Sequence, residues 1–146
     1  MWERIGVHTT VQPMPYVAML GPASHQEYSA FLYGYGSPSG EASKPLRSLL
    51  ATYDPKNGFG TTNRSRYSNP RMDALVVQGL ATADDAARER LFQEATRVAM
   101  ADYPMVQLHH QMDVWAMRAD LFYPVRIDGF TLAYKVRPAG PADTEK

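Results

Sequence analysis

An α/β fold is predicted by three features of this 146-residue chain. Segments of strand character alternate with segments of helical period. Clusters of glycine, proline and asparagine separate them. No internal repeat or low-complexity block interrupts the order. The first element, Ile5 to Val11, is rich in β-branched residues and reads as a strand, broken by Pro13 and Pro15. A proline-led helix is expected from about Pro15 to Gly21. Tyr28 to Tyr35 is an aromatic run of strand length. It ends in the small-residue loop Gly36-Ser37-Pro38-Ser39-Gly40-Glu41. Ser43 is placed to cap a helix carrying Leu46, Leu49 and Leu50 on one face.

Asn57-Gly58 marks a turn in the polar stretch from Thr52 to Ser68. Ser68-Asn69-Pro70 then opens a helix with Met72, Leu75, Val76 and Leu80 at helical spacing. Asp84 or Asp85 caps the longest helix. It runs to about Asp102, has Leu91, Ala95, Val98 and Ala99 on one stripe, and is stopped by Tyr103-Pro104. Met105 to His109 and Val114 to Met117 read as strands, and Gly129 to Val136 has strand character. Residues 1–137 are expected to form the folded part, with residues 138–146 a polar tail lacking structure.

Composition bounds the function. Fifteen basic and fifteen acidic side chains cancel, which argues against nucleic acid as a partner. The absence of cysteine removes disulfides, thiolate zinc sites and cysteine nucleophiles. No Gly-x-Ser-x-Gly elbow and no Gly-x4-Gly-Lys phosphate loop occurs. His109 and His110, adjacent on an expected strand, point to opposite faces and cannot readily chelate one ion together. No metal or cofactor is therefore expected. The opening residues Met1-Trp2-Glu3-Arg4-Ile5-Gly6-Val7 read as mid-domain sequence without a leader. The chain is accordingly expected to be a segment of a longer protein.

Five stretches in order carry a resemblance. They are the strand at Ile5-Gly6-Val7 with its proline-led helix; Gly34-Tyr35-Gly36-Ser37 closing an aromatic strand; Arg66-Tyr67-Ser68-Asn69-Pro70-Arg71-Met72-Asp73-Ala74-Leu75; Asp84-Asp85-Ala86-Ala87-Arg88 leading on to Ala101-Asp102-Tyr103-Pro104; and Val114-Trp115-Ala116-Met117-Arg118. Together they resemble the C-terminal part of family-5 solute-binding proteins, the dipeptide, oligopeptide and nickel receptors of ABC importers. The resemblance implies part of a two-lobed periplasmic-binding-protein type II fold: the C-terminal segment of the second lobe and a crossover toward the first. It also implies an extracytoplasmic receptor, not an enzyme, that captures a small polar solute such as a peptide and delivers it to ABC permease subunits in the membrane.

Ligand contacts are expected from Tyr35, Gly36, Ser37, Ser39, Gly40 and Glu41, since ligands of open α/β sheets bind beyond the carboxyl ends of strands. Glycines let the backbone approach a ligand, serine hydroxyls hydrogen-bond, and Glu41 brings a charge. Tyr33, Tyr35, Tyr67 and Trp115 could line or stack on a ligand, although core packing is the commoner role of each. His110 or Gln111 could reach a ligand or hinge, although a surface histidine is commoner. Peptide binders of the family carry an aspartate near Pro38 that pairs with the ligand's amine. Proline cannot do so, which leaves Glu41 as the substitute. Asn69 as a helix cap and Asp73 in a first helical turn have structural roles available. The rival readings are a stand-alone interaction module and, further off, a serine hydrolase.

Overall fold

The computed structural model describes residues 2–37, 39–110, 112–126 and 128–143. The chain divides into two compact units, Met1–Val106 and Gln107–Lys146.

The first unit is built on helices. α1 spans Tyr16–Ser24 and buries Met19 and Ala23. A short α2, Ser43–Pro45, passes into a π turn, Leu46–Leu50. α3 spans Pro70–Leu80 and α4 spans Asp85–Ala101. Both long helices start where their caps predict. The Asn69 side chain accepts from the amides of Arg71 and Met72, with Pro70 in the first turn. The Asp84 carboxylate accepts from the Ala87 amide at 2.7 Å. Tyr103 takes φ +52 after α4, the left-handed turn that ends a helix.

The core packs Leu46, Leu50 and Ala51 against Met72 and Val76 of α3 and Phe92, Ala95 and Ala99 of α4. Helical period identifies all of α3's share and most of α4's, but Phe92 takes the buried place expected of Leu91. Gly79 explains why. A Cβ on it would come within 2.4 Å of the Phe92 ring, so the missing side chain is what lets α3 and α4 close on that ring.

Ser43 does not cap α2. Ala42 holds the cap position, and the Ser43 hydroxyl instead donates to Glu41 Oε2 at 2.8 Å. The π turn that follows sends the Ala51 amide back to the Leu46 carbonyl. This frees the carbonyls of Arg47 and Ser48, which accept from the amides of Gly60 and Thr62 at 2.8 and 2.9 Å. Gly60, at φ +60, makes that close approach possible: a Cβ there would lie 2.5 Å from the Ala51 carbonyl oxygen.

The expected strands behave differently. Ile5–Val11, Tyr28–Tyr35, Met105–His109, Val114–Met117 and Gly129–Val136 form no ladder among the described residues; Ile5 ends a 3-10 turn, Trp2–Ile5, and Ala133–Lys135 is another. The sheet part of the α/β expectation is confined to an antiparallel pair, β1 (Leu121–Phe122) with β2 (Arg137–Pro138). A strand is stable only when another strand satisfies its amides and carbonyls. These segments have no such neighbour in the described chain and leave Val11, Leu32 and Val114 exposed at 84%, 74% and 87%. The second unit is organised around buried Tyr123. Its hydroxyl donates to the Phe130 carbonyl at 2.6 Å and accepts from the Leu132 amide at 3.0 Å. The tail expected to lack structure is held through residue 143 by a 3-10 turn, Pro141–Asp143, and by the Arg137–Asp143 ion pair.

Candidate functional site

The small-residue loop closes on itself before it reaches anything else. The Ser37 hydroxyl donates to the Glu41 carbonyl at 2.9 Å and lies 3.4 Å from that of Ser39. The Gly40 amide donates to the Ser37 carbonyl at 3.0 Å, and Gly40 takes φ +70 to do so. Pro38, the position matching the peptide binders' aspartate, lies outside the described residues. Gly36 is exposed, and a Cβ on it would meet no heavy atom within 4 Å. The loop thus presents bare backbone and the Ser39 hydroxyl at a surface.

Glu41 does not present a free charge. Its Oε1 accepts from Arg88 Nε of α4 at 2.8 Å. The hydrogen bonds from Arg88 and Ser43 hold its carboxyl below the usual range. Arg88 in turn donates to Asp85 at 2.6 Å and lies over the Thr82 and Ala83 carbonyls. A depression of about 560 Å³ opens between the loop and α4, with Ser39, Gly40, Glu41, Arg88, Phe92 and Gln93 among its lining residues. Its size lies within the range of small-molecule sites. Arg88 is the member that sequence reasoning missed. Its place three residues after Asp85 at the start of a helix was the available signal.

Tyr67 is structural. Its hydroxyl donates to Asp102 at 2.7 Å, and Asn69 Nδ2 donates to the same oxygen at 2.6 Å. Burial and then the Asp102 hydrogen bond push the Tyr67 phenol up to about 12, and the same bond holds Asp102 low. Asp73 accepts from the Thr52 amide at 2.9 Å and from its hydroxyl. Buried Asn63 donates to the Ala51 and Tyr67 carbonyls and accepts from the Tyr67 amide and the Ser65 hydroxyl. The run Tyr67-Ser68-Asn69-Pro70 with Asp73 is therefore a clamp. It caps α3 and ties the loop before it to the C-terminus of α4.

Tyr35 lies edge-on to Tyr33, with ring centroids 6.3 Å apart. Tyr33 also stacks on Tyr16 at 6.4 Å and meets Phe31 at 6.0 Å. Its hydroxyl is buried and makes no hydrogen bond of ordinary geometry among the described residues. Burial raises its pKa, against the nearby Arg64 charge, which lowers it.

His110 and Trp115 belong to the second unit. His110 is exposed, and Gln111 lies outside the described residues. The Trp115 indole donates to the Thr131 hydroxyl at 2.9 Å and leans on Tyr123. With Met112, Asp113, Val114 and Gly129 it lines a second depression of about 340 Å³. Among the described residues no group of three or more His, Asp or Glu side chains is placed to hold a metal ion.

Comparisons with known proteins point to one broad class, the binders of small molecules. The chain is similar to heme-binding protein A of Haemophilus influenzae, 22% identical over 140 residues that make up 88% of this chain and 25% of that protein. It is also similar to the glutathione-binding protein GsiB of Pectobacterium atrosepticum, 34% identical over 79 residues, 53% of this chain and 15% of that one. The chain spans a quarter or less of the length of these relatives. No family profile and no solved structure matches. Both relatives are named as binding proteins and neither as an enzyme, in accord with the expectation that this chain is not an enzyme.

Proposed function

We propose that this chain is part of the solute receptor of an ABC importer, working outside the cytoplasmic membrane and handing a small polar solute to a permease. One observation carries the reading: a low but long similarity to heme-binding protein A that runs through 88% of this chain. Three things support it. The second relative binds a small solute by name, the small-residue loop faces an open depression of suitable volume, and the extended segments leave backbone unpaired as part of a larger sheet would. In that reading the helices and the clamp form one face of a second lobe, and closure of a first lobe buries the solute and strengthens each polar contact.

The test is saturable binding without turnover. A ligand that binds the folded state alone raises stability by about 2.7 kcal/mol at a hundred times its dissociation constant. The chain is heated in the presence of glutathione, heme and mixed di- and tripeptides in turn. A concentration-dependent rise in the melting temperature with one of these, and recovery of that solute unchanged, is the expected result. No rise with any of these solutes, up to the solubility limit of each, would remove the receptor reading.

A second reading, an interaction module, is favoured by the exposed apolar side chains of the second unit, Leu108 at 65%, Met112 at 85% and Val114 at 87%. It predicts concentration-dependent self-association with no solute requirement.

A further inference from the structure

Two arginines in the first unit, Arg64 and Arg66, meet at one residue, Ser24. Arg88, Arg71 and Arg97 of that unit each face a carboxylate. Arg64 and Arg66 face none among the described residues. Arg64 Nε donates to the Ser24 hydroxyl at 3.1 Å and Arg66 Nη2 to the Ser24 carbonyl at 3.3 Å, so both are fixed at the C-terminus of α1. There the exposed carbonyls favour a cation, but two guanidiniums exceed what one helix end neutralises. Arg66 holds this place at φ +57, an unfavourable backbone for arginine.

Each guanidinium also lies over an aromatic ring. Arg64 is 5.8 Å from the Tyr33 centroid and Arg66 is 4.0 Å from that of Tyr53. Tyr33 is the centre of the aromatic group already described. Around it, Tyr16 and Phe31 remain 54% and 36% exposed, and Tyr35 is half-buried. Exposed rings that contact one another beside uncompensated guanidiniums make a surface of mixed character. The rings offer a flat apolar ledge, and the arginines offer donors shaped for a carboxylate.

We propose that this ledge takes a planar aromatic solute bearing a carboxylate, its ring against Tyr16, Phe31 and Tyr35 and its carboxylate on Arg64 and Arg66. The inference rests on the solute-binding reading and narrows it to a class of solute. Two comparisons on the protein's own surface support that choice. The depression beside Glu41 carries Asp85 and Glu89 as well, with Arg88 its one cation, so it repels anions that the ledge would attract. A solute without a ring would meet only the arginines and lose the stacking contribution. With one face of the ring left in water, binding to this chain is weak.

The test uses the full chain and three probes: 2-naphthoate, its uncharged analogue 2-naphthylmethanol, and glutarate, an anion without a ring. Ring-proton chemical shifts of Tyr16, Tyr33 and Tyr35 report where each binds. Saturable shifts are expected with naphthoate in the range of about 1 mM, weaker shifts with naphthylmethanol, and none with glutarate. The double variant Arg64→Gln, Arg66→Gln is expected to weaken naphthoate about tenfold and leave naphthylmethanol unchanged. Should that variant fail to fold, salt decides on the native chain: loss of naphthoate affinity from low to high ionic strength supports the proposal, and indifference to salt overturns it. Naphthoate that leaves the three tyrosines unshifted, or binds the variant undiminished, also overturns it. Binding of heme, glutathione or a peptide with those tyrosines unshifted would keep the receptor reading and remove this one alone.

Discussion

The stretch from Leu46 to Asp102 and the stretch from Val7 to Tyr35 are both rich in apolar residues and have opposite fates. In the first, Leu46, Leu50, Met72, Val76, Phe92, Ala95 and Ala99 are buried together, and the polar side chains of the clamp satisfy one another. In the second, Val11, Val17 and Leu32 are exposed at 84%, 78% and 74%, and outside α1 the backbone has few partners. The difference is one of range. Helices satisfy their own backbone and need only a face to bury, whereas extended chain depends on whatever lies beside it.

The sharpest way to break this contrast is in the core. Met72→Ala removes a side chain with no solvent exposure from between α3 and α4. It is expected to lower the free energy of unfolding by about 3 kcal/mol, read from the shift in denaturant midpoint. A loss below about 1 kcal/mol would mean the two helices are not the stable part of the chain.

The clamp gives an intermediate effect with a pH signature. The folded-state pKa of Tyr67 stands at about 12 against an ordinary value of 10.0. Its hydrogen bond to Asp102 therefore contributes fully below pH 10 and is lost as pH rises through about 12. Asp102 has a lowered pKa, so its share is present above the ordinary carboxylate range and lost on acidification. Tyr67→Phe should make the native chain and the variant converge in stability between pH 10 and 12, measured as melting temperature against pH. Parallel curves throughout would show that the phenol is not held by the carboxylate.

The smallest effect belongs to the extended stretch. Val11→Ser should change stability by no more than about 0.5 kcal/mol, since little of the side chain leaves water on folding. A larger loss in equilibrium unfolding would place that residue in a packed surface.

Much of the helical region is legible in the sequence, because its signals are local. Asn69-Pro70 and Asp84 start their helices, Tyr103-Pro104 ends one, and the spacing of Met72, Val76, Ala95 and Ala99 fixes the buried faces. Phe92 is not legible. The choice between it and Leu91 is made by Gly79 on the other helix. Asn63 is invisible for the same reason: its role depends on the carbonyls of Ala51 and Tyr67 arriving beside it. The strand readings rested on alternation and β-branched content, which describe a side chain's suitability for a sheet and carry no information on which partner completes it. Among the expected site residues, the Ser37 and Gly40 contacts are local, within the loop itself. Glu41 is neutralised by a helix 47 positions away, and Tyr67 is turned to structural use by Asp102.

The widened turn at Leu46–Leu50 has a practical consequence for anyone who cuts or transplants this region. Because the two carbonyls it releases are answered by the amides of Gly60 and Thr62, the winding error and the loop that carries those amides are one object. Trimming a single residue to restore regular winding would strand those amides, and grafting the helix without that loop would carry along a defect with nothing to heal it.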